Sequence, residues 1–317
     1  VQSRTGATAN FLHPKQIKQV MLSRWMAETV SIVGAGRVGR TLGKCLRELG
    51  WQVGAVLTRR VATSRAAARA IGAGTPQVAL SPGVLAADVV LLTTPDGELR
   101  RTAERLAQQA RERCRGAIIL HTSGALDRSP LAALARMGAW TGSLHPMQTF
   151  SGRADPDFQG VIFAVEGERR AQQAARRIAR ALGGVPIRVG GESKPAYHAA
   201  GALVSGHALA LVEAATEILL RVGFTRKRAL EALLPLMRQM LDNFEELGPQ
   251  ASWTGPIARG DYAIVQKHAD ALRRYPREFE ESYAALALLG GRVLSKTPAR
   301  TIRQIKRALK NPSGGWS

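Results

Sequence analysis

Apolar residues fall in short runs along residues 29–190, each bounded by glycine, proline or polar positions and followed by a stretch of helical period. The runs lie near 29–34, 53–57, 77–80, 88–93, 117–121, 139–144, 161–165 and 186–189. Strand and helix patterns in alternation predict an α/β fold built on a doubly wound parallel sheet. After Gly190-Gly191 no strand run returns. Ala/Leu-rich helical patterns at 194–222, 226–246, 261–273 and 277–294 predict an all-helical second domain, punctuated at Gly248-Pro249, Gly255-Pro256 and Gly260-Asp261. Residues 1–28 show no clear period and read as an extension, which divides the chain into 1–28, 29–190 and 191–311.

The first strand runs straight into Gly34-Ala35-Gly36-Arg37-Val38-Gly39 and then into a helix. A strand, a glycine turn and a helix start form the context that a dinucleotide pyrophosphate needs: one glycine for the turn, one for close approach, one for helix packing, and free N–H groups at the helix end. The next strand closes a βαβ unit and ends in Thr58-Arg59-Arg60, with no acidic residue between Glu48 and Asp88. An NAD site should carry Asp or Glu there for the ribose hydroxyl. Arg59, Arg60 and Ser64 suit a 2′-phosphate instead, so NADP is expected over NAD.

Charge and cysteine content narrow the remaining classes. The net charge is +21, but the arginines are mostly spread along helix faces, as at Arg169, Arg170, Arg176, Arg177 and Arg180. Denser basic stretches lie at the ends: Arg4, Lys15, Lys18 and Arg24 before the first strand, and Lys296, Arg300, Arg303, Lys306, Arg307 and Lys310 in the tail. No zinc-finger spacing or aromatic stacking motif accompanies them and aromatic content is 5%, so no specific nucleic-acid partner is expected. Cys45 and Cys114 have no Cys or His at ligand spacing, so neither metal nor disulfide is implied. No apolar run looks long enough to cross a membrane and no secretory signal is evident, so a cytoplasmic location without a membrane partner is expected.

Candidate chemistry gathers where the strands end, the edge at which such sheets bind ligands. Thr93-Thr94-Pro95 could line a nicotinamide ribose, with Asp96 as a helix cap. His121-Thr122-Ser123-Gly124 offers a hydroxyl and backbone N–H groups to a small substrate, and His145 is held in place by Pro146. In the first helix of the second domain Lys194, His198, Gly201 and Ser205 share one stripe, which suits the wall of an active site. Lys194 at the helix start could donate a proton, His198 or His145 could relay or orient it, and Ser123 could bind substrate. An exposed lysine and a packing histidine would give the same stripe.

The glycine loop, His121-Thr122-Ser123-Gly124, His145 to Phe150, Lys194 to Ala200 and Thr254 to Asp261 together resemble the Rossmann-like NADP-binding proteins with a C-terminal domain of unknown function 2520. These are distant relatives of pyrroline-5-carboxylate reductase, ketopantoate reductase and 6-phosphogluconate dehydrogenase. The resemblance covers nearly all of 29–295. It implies an oxidoreductase acting on a small carbonyl, hydroxy-acid or imine substrate, a catalytic role for Lys194, a substrate loop at Ser123 and a homodimer built by the helical domain. One departure is Ser205-Gly206, where Ser-Asn is expected; a non-catalytic NADP(H)-binding sensor is the alternative.

Overall fold

The computed structural model describes residues 28–153 and 155–310, so most of the basic extension lies outside the described residues. The chain divides into two compact units, Val1–Ser205 and Gly206–Ser317. In the first unit the elements follow in the order β1 (Thr29–Val33), α1 (Arg37–Glu48), β2 (Gln52–Leu57), α2 (Val61–Ile71), β3 (Thr75–Gln77), β4 (Val89–Leu92), α3 (Asp96–Gln109), β5 (Ile118–His121), α4 (Ala132–Arg136), β6 (Trp140–Pro146), β7 (Ile162–Gly167), α5 (Arg169–Ala181), β8 (Val185–Arg188) and α6 (Lys194–Ala202).

The strands form one sheet in the order β3-β2-β1-β4-β5-β6-β7-β8. Each strand falls at or beside an expected run. One pairing departs from the parallel expectation: β6 and β7 run antiparallel, Ser143 opposite Glu166 and His145 opposite Ala164. Parallel neighbours need a crossover, and the described residues between these two strands contain no helix, so the chain returns beside itself.

Central strands are apolar on both faces, as a covered sheet requires. In β4 all four residues are fully buried. Val89 and Leu91 pack with Leu42, Leu46 and Ile178 from α1 and α5, while Val90 and Leu92 pack on the other face with Leu99, Leu106 and Leu134 from α3 and α4. Each fully buried leucine contributes about 2 kcal/mol by area removed from water. The two edge strands carry Pro76 and Pro186. Gln77 accepts from Thr58 N–H and Val185 donates to Val161, so the residues beside each proline turn inward and the proline position turns outward.

The second unit contains α7 (Ala208–Arg221), α8 (Arg226–Ala251), α9 (Pro256–Arg259), α10 (Tyr262–Leu272), α11 (Arg277–Val293) and α12 (Pro298–Lys310). No strand lies among its described residues. Thr225 caps α8 by accepting from Arg228 N–H, and Gly248 at φ 76° breaks the helix near its end. Val265, Ala269, Ala287, Ile305 and Ala308 form the buried centre of α10, α11 and α12.

The helix expected over 194–222 is interrupted by a π-turn at Leu203–His207. The run Gly191–Arg221 also has the length and apolarity of a membrane span, contrary to the sequence expectation, because its alanines raise the average without forming an unbroken block. Its first turn is packed into protein: Lys194 is completely buried against the sheet.

Candidate active site

The glycine turn sits at the carboxyl end of β1. Gly34 has φ +89°, and its N–H donates to the Leu57 carbonyl at 2.8 Å, tying the turn to β2. A Cβ there would lie 2.7 Å from Thr94 N, and one at Gly39 would collide with Thr93 Oγ1 and Ile32. Packing within the protein therefore explains both glycines. Gly36 is different: its φ is an ordinary −76°, and the only atom a Cβ would approach is Gly34 O, at 3.8 Å. Beside this open space α1 starts with no side-chain cap and no acidic residue in its first turn, which leaves its N–H groups and positive dipole end uncompensated. Ala35 is buried in the turn, Arg37 begins the helix exposed, and Val38 is half-buried against the core.

The rest of the expected dinucleotide set lies on neighbouring strand ends. Arg59 and Arg60 are exposed after β2. Thr58 is turned inward and donates to the Arg60 carbonyl at 3.0 Å. Ser64 is buried and donates to the Val56 carbonyl at 2.7 Å, so its hydroxyl is spent inside the fold. Thr93 Oγ1 donates to Gly34 O at 2.8 Å, Pro95 is exposed, and Thr94 Oγ1 is buried without a partner. A buried hydroxyl left unpaired beside the turn fits a polar ligand that would complete it.

Lys194 lies at the start of α6, and its ammonium enters the gap between the ends of β5 and β6. Nζ donates to Ser123 O at 2.9 Å and to Ser143 Oγ at 2.7 Å. Burial lowers its pKa to about 8, against the opposing pull of Glu166, Asp127 and Asp96. The sequence suggested a lysine facing a cleft from a helical domain; in the structure it belongs to the first unit and has no exposed surface.

Ser123 organises the turn above the lysine. Its hydroxyl donates to Asp96 Oδ2 at 2.8 Å and accepts from Ala125 N–H at 3.3 Å and Leu126 N–H at 3.0 Å. Asp96 thus receives Ser123 and does not cap α3, which begins with no side-chain cap. His121 Nδ1 accepts from Ser123 N–H at 3.1 Å, so Nε2 carries the ring proton and donates to Asp127 O at 2.7 Å. Burial, then the nearby lysine charge, lower the pKa of His121 to about 4 and keep it neutral.

Two more rings close over Gly124. A Cβ at Gly124 would strike both His198 and His145, whose rings meet edge to face at 5.6 Å between centroids. His145 Nδ1 is 3.0 Å from Tyr197 Oη. Burial, then Lys194, lower His145 to about 4, and burial pushes Tyr197 up to about 12. Lys194, His198, Ser123 and His145 therefore meet around one turn. Ser205 does not join them; its hydroxyl bonds back to Gly201 O at 2.7 Å. Sequence reasoning missed Tyr197, Ser143 and Glu166. Tyr197 stood next to His198, and Ser143 lies two positions before His145 on the same strand face, but Glu166 needs the β6–β7 register to be seen.

Two family models match the sequence, a Rossmann-like domain over residues 14–146 and a domain of unknown function, DUF2520, over 161–289. No curated protein matches the sequence significantly. Among solved structures, a candidate NADP oxidoreductase from Bacteroides fragilis superposes with a TM-score of 0.68 at 22% identity, covering 82% of this chain and 96% of that one. A pyrroline-5-carboxylate reductase from Coxiella burnetii gives 0.55 at 16% identity, over 90% and 100% of the two chains. A reductive aminase from Aspergillus terreus in complex with NADPH and ethyl-5-oxohexanoate gives 0.56 at 18% identity, over 92% and 97%. At these identities the likeness establishes a shared fold.

Proposed function

We propose that this chain, which joins a Rossmann-like domain to a domain of unknown function 2520, is an NADP-dependent oxidoreductase acting on a small carbonyl, hydroxy-acid or imine. The observation that carries this reading is the meeting, at one sheet edge, of an uncapped helix start beside open space at Gly36 and a buried lysine with a lowered pKa. The structural relatives described as NADP oxidoreductase, pyrroline-5-carboxylate reductase and NADPH-bound reductive aminase support it.

The N–H groups of α1 and the Gly34–Gly39 turn would hold the pyrophosphate, Arg59 and Arg60 the 2′-phosphate, and Thr93 to Pro95 the nicotinamide ribose. When bound, the nicotinamide supplies or accepts a hydride. Lys194 Nζ has one N–H left after its two bonds and would give that proton to the developing oxygen or nitrogen charge. Neutral His145, joined to Tyr197, and His198 would orient the substrate over Gly124. Ser123, whose hydroxyl is engaged, would act by holding the turn and offering its backbone.

The complete enclosure of Lys194 favours a second reading, a sensor that binds NADP(H) without turnover. We further propose a homodimer: Leu236, Met240, Leu241, Phe244 and Leu247 on α8 are all exposed, an apolar face that a second copy would cover.

NADPH oxidation with a panel of small carbonyls, hydroxy acids and imines, and the reverse reaction, tests the assignment. At least one substrate should turn over, and Lys194→Met should lower that turnover by about 10²–10⁴-fold while NADPH affinity stays nearly unchanged. Tight NADPH binding with no turnover across the panel would select the sensor. Full activity in Lys194→Met would remove the lysine's role.

A further inference from the structure

The serine that receives Lys194 still has a hydroxyl proton to give. Ser143 Oγ accepts from Nζ at 2.7 Å, is fully buried, and donates to no acceptor among the described residues. Directly opposite it on the antiparallel strand is Glu166. Paired residues of neighbouring strands project to the same sheet face with Cβ atoms about 5 Å apart. Glu166 Oε2 is buried without a hydrogen-bond partner, an exception that a folded protein tolerates only for a reason. The residues that carry an unspent O–H and an unpartnered carboxylate oxygen are thus paired on one rung of the sheet.

The other charged and titratable groups around the lysine are already engaged or neutral. Asp96 from α3 receives Ser123, Asp127 after β5 receives Ser129 N–H, and His121 and His145 from β5 and β6 are held neutral by burial. Glu166 from β7 has the backbone N–H and the guanidinium charge of Arg128 beside it, yet its Oε2 has no hydrogen-bond partner. Burial raises its pKa while that of Lys194 falls, so the two lie closer together than free side chains would.

We propose that Glu166 is the counter-ion and proton partner of Lys194, acting through Ser143. This rests on the reading of Lys194 as the proton donor. After Lys194 has given up a proton, the Ser143 O–H bond breaks toward Nζ and forms a new N–H. For this, Glu166, a carboxylate while Lys194 is charged, first takes a proton from water, and that carboxyl proton then passes to Ser143 Oγ, restoring the hydroxyl and leaving a carboxylate beside an ammonium. The relay requires the Glu166 side chain to turn so that a carboxyl oxygen reaches Ser143 Oγ, and the partial exposure of the residue opens it to water. Glu166 is a positioning residue: it acts through Ser143 and does not meet substrate.

The experiment is a pH titration of the full chain by NMR, with ¹⁵N-labelled lysine and ¹³C-labelled glutamate, the Lys194 signal being the one lost in Lys194→Met. Wild type should titrate near pH 8. Glu166→Gln should lower the Lys194 midpoint by about one unit, a tenfold loss of proton affinity, and Glu166→Asp should recover much of it because the charge returns. A midpoint in Glu166→Gln equal to wild type, or equal shifts in the Asp and Gln variants, would overturn the proposal. If Glu166→Gln does not fold, the wild-type Glu166 carboxyl still reports: it should show a second step at the lysine midpoint, and a single step overturns the coupling. No substrate is needed, so loss of the lysine's catalytic role and loss of this coupling are separate results.

Discussion

The two units spend their apolar residues in opposite ways. In the first, β1, β4 and β5 are sealed between helices, and even the polar side chains inside, Ser31, Ser64, His121 and Ser143, are hydrogen-bonded. In the second, the buried centre is a handful of small residues and Val265 and Ile305, while Leu209, Leu236, Leu241, Leu247 and Val293 are each more than half exposed. A unit that completes its own core can hold a lysine and two neutral histidines in fixed places. One that leaves its leucines outside has an apolar surface that the proposed second copy would cover. This contrast is what the proposed division would produce, chemistry in the first unit and assembly in the second, and each half of that proposal can be tested.

The largest effect is expected at the glycine whose space is empty. Gly36→Val should reduce NADPH affinity by more than about 100-fold, since a branched side chain would fill the approach to the α1 amides, while circular dichroism stays unchanged. Unaltered affinity would make the turn a structural device and nothing more.

Next in size is an acid sensitivity. His121 titrates near 4 in the fold and near 6.5 when unfolded, so between those values the unfolded chain binds the extra proton. Stability then falls as pH drops from about 6.5 to about 4, by about 3 kcal/mol in total from this residue. Urea unfolding at a series of pH values should show that slope, and His121→Gln should flatten it. An equal slope in the variant would place the acid limb elsewhere.

A smaller change is expected at the end of β2. NADPH should bind about tenfold more tightly than NADH, and Arg59→Asp should narrow the gap by removing one charge-assisted bond to the 2′-phosphate. Equal affinities for the two cofactors in wild type would remove the argument.

The smallest effect on the site should come from the second unit. Leu241→Glu should leave NADPH affinity within about twofold, yet reduce the mass measured by light scattering from that of a dimer toward that of a monomer. A wild-type chain that is monomeric at working concentrations would overturn the homodimer and leave the exposed face without an explanation.

Much of the first unit was readable before its coordinates. Strand positions follow from continuous apolar runs, and the Gly34–Gly39 turn from its place between a strand and a helix, because both signals are local. What sequence missed depends on residues far apart in the chain. Nothing near Glu166 indicates that it faces Ser143; only the reversal of β7 puts them together. Lys194 reads as a proton donor on the wall of an active site, but its complete enclosure is not legible, since first-turn lysines normally reach water and only its bonds to Ser123 and Ser143 account for it. Asp96 looked like a cap because acidic residues favour first turns, but a serine 27 positions away claims its carboxylate.

The prolines at the two margins of the sheet bear on how this protein survives at high concentration. An open sheet invites polymerisation, because each border strand shows a row of free donors to any identical chain. Pro76 deletes the outward donor of a three-residue strand, and Pro186 deletes one of two outward donors, leaving that of Arg188, so each border is a poorer template for an ordered stack of copies. Replacing Pro186 with valine would restore that donor between two already exposed aliphatic residues, Val185 and Ile187, and remove one barrier to edge-to-edge pairing from an otherwise unchanged fold.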